Sequence, residues 1–264
     1  MAFDINNFVI DRVVRAVALS QTDESVLFSI NQVTNPSLTV SSETAEAVDA
    51  LGTPIAIFNR AKSAEFSAEN ALFDMNLMAV QSGTSKQVAA AGSTIVTPKV
   101  ETIDITGAPT YTLSKTPVED PQKIYKLNGD GTLGTIYTKS TSASATAFAI
   151  SGTSLTPPTG LKSGEQLMVI YEYEANGDEG NGAVSVLNSA VNFPTGCKLV
   201  MEVLGCDVCD QTKMIFAYII FPNFKLSSDF DWTIATDSTH SFSGRAMQEY
   251  CDSKKSLYQI VIPE

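Results

Sequence analysis

Short apolar or alternating runs separated by turn residues make up most of the chain, which is the pattern of strands. Val26-Leu27-Phe28-Ser29-Ile30 is one such run, ending ahead of Asn35-Pro36. Residues 38–49 and Pro54 to Arg60 then flank Ala50-Leu51-Gly52-Thr53, a turn sequence by its Gly and the Pro that follows. Together they predict a long hairpin. Its first arm has few large apolar residues and carries Glu43 and Glu46, so at least one face meets water. Ala45, Glu46 and Ala47 also suit a helix. Residues 69–81 predict the main helix, with Phe73, Leu77 and Val80 on one face, Asn70 or Ser67 as cap and Gly83 as stop. A second short helix fits 243–252, capped by Ser243. Residues 8–19 satisfy a helical face, but their β-branched excess favours a strand.

The pattern changes in the middle. Residues 82–98 are small and polar and read as a loop. From about Pro109 to Tyr173 short strands follow one another. Lys123–Leu127 and Thr135–Thr138 flank Asn128-Gly-Asp-Gly, and Phe148–Ser151 and Ser154–Thr156 flank Ser151-Gly152. Leu167–Tyr173 closes the run, and 177–182 is its exit loop. That spacing suggests a small Ig-like β-sandwich. Strand patterns resume at 198–204, 214–221, 230–234 and 258–262. The expected organisation is a mainly β, discontinuous domain, 1–108 plus 176–264, interrupted by a β module at 109–175.

Composition narrows the function. The 264 residues carry a net charge of −12, and only 17% are charged, against about 25% in ordinary globular chains. Ser and Thr together number 53. Strong acidity argues against gripping phosphate backbones, which takes clustered Lys and Arg. An apolar share of 44% is too high for a disordered chain. No window is long and apolar enough for a membrane span, and no secretory signal is visible at the N-terminus. Synthesis in a cytoplasm is expected.

Candidate chemistry is sparse. Cys206-Asp-Val-Cys209 has the spacing of a zinc half-site or redox dithiol, and zinc would need Cys197 and Cys251 as further ligands. A second CxxC and a βαβ context are both missing from the sequence, so free thiols at a strand end are expected, pairing only in an oxidising setting. His240 lies near Ser241, Ser243 and Asp237, but the stretch has no nucleophile elbow. The loops at Asn128–Gly131 and Asn176–Asn181 offer oxygens without the EF-hand spacing. No cofactor, metal site or enzymatic activity is expected. Hydroxyl-rich strands on a β scaffold suit packing against identical neighbours.

Three stretches carry a family resemblance: Asn31-Gln-Val-Thr-Asn-Pro-Ser-Leu-Thr-Val, the hairpin from Ser42 to Ala56, and Arg60 to Phe73. The C-terminal phrases Ile220-Phe-Pro-Asn-Phe-Lys, Ser228-Asp-Phe-Asp and Phe242-Ser-Gly244 join them. Together they resemble tailed-bacteriophage major tail (tail tube) proteins. The resemblance implies a tail-tube-like β-sandwich or barrel with one flanking helix. It implies subunits that form rings, usually hexameric, stacked into a tube through which DNA passes without specific binding. It further implies contact with other tail proteins and a place in the virion tail, assembled in the host cytoplasm. The 38–60 hairpin is then the candidate for lumen or inter-ring contact, and Glu43, Glu46 and Asp49 are the lumen-facing candidates. Alternatives are a capsid decoration or tail-completion protein, or a module recognising a host glycan through Tyr111, Tyr125, Tyr137 or Tyr171.

Overall fold

The computed structural model describes residues 8–90, 92–177, 182–208, 210–248 and 255–263. The chain is mainly β, 57% strand and 3% helix, with sheets forming a sandwich and a nearly closed barrel. It divides into two compact units, Met1–Lys86 with Val186–Glu264, and Gln87–Ser185.

The first unit contains β1 (Phe8–Ser20), β2 (Val26–Ile30), β3 (Val33–Val48), β4 (Pro54–Asn70) and the helix α1 (Met75–Gln81). After the second unit it resumes with β14 (Gly196–Asp207), β15 (Asp210–Leu226), β16 (His240–Ala246) and β17 (Gln259–Val261). These strands form one sheet in the order β2-β1-β14-β15-β16-β4-β3, with β17 beside β15. The sheet curls so that β1 and β3 approach one another without pairing. Period-two alternation builds the interior: on β14, Cys197, Leu199, Met201 and Val203 are buried while the residues between them are only partly covered. Phe66, Phe221, Phe224 and Phe242 pack centrally, with ring centroids 5.3 to 6.1 Å apart. Each fully buried side chain of this size is worth about 2–3 kcal/mol.

The helix is shorter than the 69–81 expectation. Residues 69 and 70 finish β4, because Asn70 has register partners on both sides, Val33 and His240. Asp74 is the cap, its carboxylate accepting from the Leu77 N–H at 2.7 Å. Gly83 ends the turn at φ +64, where an added Cβ would lie 2.4 Å from the Phe193 backbone. The expected second helix at 243–252 is a strand over 243–246. Ser243 to Ala246 pair residue for residue with β4, and the register satisfies the backbone that a helix would have used. Residues 249–252 lie outside the described set. The 230–234 run contributes one bridge, Trp232 to His240, and no strand. Residues 8–19 are strand.

The second unit contains β5 (Gln87–Val88), β6 (Thr94–Asp104), β7 (Tyr111–Thr112), β8 (Lys123–Leu127) and β9 (Leu133–Lys139). It continues with β10 (Ala147–Ser151), β11 (Ser154–Thr156), β12 (Gln166–Asn176) and β13 (Val184–Ser185). Seven strands run in the order β6-β12-β8-β9-β10-β11-β7 around a core of Ile124, Phe148, Leu155, Leu167, Val169 and Tyr171. β5 pairs with β13 and ties the two ends of the unit together. The sequence pattern places the boundary at 108/109, whereas the compact unit begins at Gln87. Between 87 and 109 lies β6, which pairs along its whole length with β12. Residues 82–86 form a connection, Gln87 and Val88 are already β5, and from Thr94 the partly covered Ile95, Thr97, Lys99 and Glu101 alternate with exposed Val96, Pro98 and Val100 along β6.

Candidate functional site: an exposed ribbon and open strand edges

β4 pairs with β16 only from Ala64 to Asn70. Beyond that point β3 and β4 continue alone as a two-stranded ribbon, roughly 25 Å long at about 3.3 Å per residue. Its base is stitched by the Ser41 and Ser63 hydroxyls, 2.7 Å apart, and by an Arg245–Glu65 ion pair across β16 and β4. A register shift between Ser41 and Glu43 lies beside Ala61, whose φ is +44. That combination is a bulge, which bends the ribbon and increases its twist. At the tip Asp49 accepts from the Leu51 and Thr53 N–H groups, each at 2.9 Å, and Gly52 supplies the positive φ.

The ribbon carries exposed apolar side chains on both faces. Glu43, Ala45 and Ala47 lie opposite Arg60, Phe58 and Ala56 and share a face with them. Thr44 and Glu46 lie opposite Asn59 and Ile57 on the other face. Leu51 is 91% exposed, Ile55 68% and Ile57 60%, and Phe58 and Val48 are more than half exposed. A two-stranded ribbon is marginally stable alone in water. Such an apolar concentration marks a surface that another molecule covers.

Two strand edges of the same sheet are also open. β1 meets β2 only from Ala16 onward, so Phe8–Arg15 has β14 on one side and no strand on the other among the described residues. β3 pairs with β4 alone. These edges present unpaired backbone donors and acceptors, a template for an added strand.

The expected lumen-facing residues are separated by this geometry. Glu43 and Glu46 point to opposite faces of the ribbon, because three residues is an odd step along a strand. Glu43 lies opposite Arg60, whereas Glu46 lies opposite Ile57. Asp49 holds the turn with its carboxylate.

The remaining candidates lie elsewhere in the fold. Cys197 and Cys206 stand nine residues apart on one strand, about 30 Å at the rise of a strand, so they cannot share one ion. Cys209 and Cys251 lie outside the described residues. Burial pushes the Cys197 thiol up to about 11. His240 and Phe242 point inward on β16 while Ser241 and Ser243 point away, so the polar cluster of the sequence is split across a strand. Asp130 closes its own turn by accepting from the Thr132 N–H and hydroxyl at 3.0 and 2.6 Å. Residues 178–181 of the other loop lie outside the described set. Tyr137 and Tyr171 are buried. The Tyr111 hydroxyl accepts from the Thr106 and Gly107 N–H groups.

The chain is thus a mainly β protein with a long uncovered ribbon and two open strand edges among the described residues. The profile of the YomU/Tube protein family matches residues 8–261. The chain belongs to the YomU/Tube protein family, whose description points to a phage tube-like structural protein, a component of the virion. A search of curated proteins finds no match. Among the described residues, no helix is long and apolar enough to cross a membrane.

Proposed function

We propose that this protein is the repeating subunit of a phage tail tube. The observation that carries this reading is the β3–β4 ribbon, which exposes apolar side chains on both faces in the single chain. Neighbouring subunits join the open edge of β1 in one copy to the open edge of β3 in the next. The contact is heterologous, so a fixed rotation closes it into a ring. The tip of the ribbon and its Glu43–Arg60 face then lie against the adjacent ring, burying Leu51 and Phe58. Other tail proteins cap the stack.

Glu46 is the acidic group of the ribbon that has no cation opposite it in the register, and it faces the conduit. Like charge there keeps passing DNA from sticking. Glu43, opposite Arg60, belongs to the contact between subunits. Assembly takes place in the host cytoplasm and the function is structural.

Negative-stain microscopy of the purified chain tests the proposal. Stacked rings or tubes are expected. The double variant Ile57→Asp/Phe58→Asp should melt like the unmodified chain and form none. A chain that stays monomeric across the concentration range, or a variant that still forms tubes, overturns it.

A further inference from the structure

The second unit also presents a long open strand edge. β6 pairs with β12 and has no strand on its other side among the described residues. It is 11 residues long, and Val96 and Val100 on it are more than half exposed. A long exposed edge with β-branched side chains is a ready template for a further strand.

The hydrogen bonds around β6 fix which backbone groups face that edge. Just past the strand, the Ile105 N–H donates to the Glu165 carbonyl at 2.8 Å. The odd-numbered residues of β6 therefore turn their N–H and C=O groups toward β12. On the far side of β12 the Glu172 carbonyl accepts from the Val118 N–H at 2.8 Å. Glu172 thus turns its backbone away from its register partner, Pro98. Val96, Pro98, Val100 and Thr102 accordingly face the open side with their backbones. Pro98, near the middle of this row, is the member without an N–H.

We propose that Pro98 guards this edge and keeps the second unit from pairing strand to strand with another copy of the chain. In a full-length antiparallel pairing of β6 with the β6 of a second copy, the edge-facing residues meet, Val96 with Thr102 and Pro98 with Val100. Pro98 then leaves the Val100 carbonyl of each copy without a donor at the centre of the ladder, and its ring takes the space of the missing N–H. Carbonyls stripped of water and left unpaired oppose the contact. The open stretch of β1, Phe8–Arg15, contains no proline. β3 contains one, Pro36, within the register shift between Thr34 and Ser37 at its start. Strand addition is therefore blocked on the second unit and left available on the first. The guard follows from the geometry of β6 and is independent of tube assembly.

Restoring the N–H tests the guard. Pro98→Val is made in the Ile57→Asp/Phe58→Asp chain, so that ribbon contacts do not mask the readout, and sedimentation equilibrium follows mass against concentration. Pro98→Val should gain mass with concentration, toward a dimer of its parent, while the parent does not. Adding Val100→Pro removes the neighbouring edge-facing N–H and should return the mass to that of the parent. A Pro98→Val chain that sediments like its parent at every concentration overturns the guard. So does a Pro98→Val/Val100→Pro chain that associates as Pro98→Val does. The difference from the parent is what is read, so the result holds whether or not the unmodified chain forms tubes. Pro98→Ala restores the same N–H and decides where Pro98→Val does not fold.

Discussion

Glu101 shows how much a single side chain can hold in a β module. From β6 it accepts two hydrogen bonds from the Ser114 N–H, at 3.0 and 3.2 Å, and others from the Ser114 and Tyr171 hydroxyls. Burial pushes its carboxyl up, but the bonds from Ser114 and Tyr171 outweigh burial and hold it below the ordinary glutamate value. Tyr171 moves the other way, to about 12, through burial and its bond to Glu101. Glu101→Gln should cost about 1–3 kcal/mol, the range for a charge-assisted bond removed with its partners left in place. The sign of the pH dependence follows from the depressed carboxyl. The Glu101 contribution is present above about 4.5 and lost as pH falls through the native value. Melting curves from pH 7 to pH 3 should thus show the unmodified chain and Glu101→Gln converging in acid. A gap that stays constant contradicts this account. The cysteines offer a second residue-scale check. Cys197 is fully buried and its Sγ donates to the Phe224 carbonyl at 3.4 Å, whereas Cys206 is half-buried. Mass spectrometry after brief alkylation should find Cys206 modified well before Cys197, since reactivity follows exposure and thiolate fraction.

At the scale of elements, the ribbon and α1 behave in opposite ways. The ribbon is held by its own ladder, so its exposed side chains contribute little to the fold, and substitutions there should change stability by no more than about 0.5 kcal/mol. The short helix depends on its ends. Asp74→Ala should cost about 1 kcal/mol by removing the cap. Gly83→Ala should cost more, because the position combines a positive φ with the Phe193 backbone at contact. Thermal denaturation ranks the three, and a ribbon variant as costly as Gly83→Ala would contradict the picture of a free ribbon. The hairpin at 38–60 and its turn were legible in the sequence because turn residues act locally. The start of α1 was not. Asn70 and Asp74 are both good caps, and which one serves is decided by β16 pairing up to Asn70, a contact made 170 residues later.

For the whole molecule, the two units have separate cores. One is centred on the Phe66, Phe221, Phe224 and Phe242 rings, the other on Ile124, Phe148, Leu167 and Tyr171. The β5–β13 pair clasps the ends of the second unit. Residues 87–185 expressed alone should therefore fold cooperatively, with a single melting transition and dispersed amide resonances. A collapsed spectrum from that fragment would show that its core depends on the first unit.

Sequence alone determined most of the strand stretches, where the tight turns fall, and that the chain is interrupted by a β module. Each of those rests on alternation or on turn residues within a few positions of one another. Tertiary structure decided the rest. Residues 243–246 became a strand because β4 and β15 offered ladders on both sides, and residues 230–234 stayed a loop with one bridge to His240. The same long-range pairings buried His240 at the start of β16 and left the edges of β1 and β3 open. No local pattern encodes an open edge, because it is defined by the strand that does not come to pair with it.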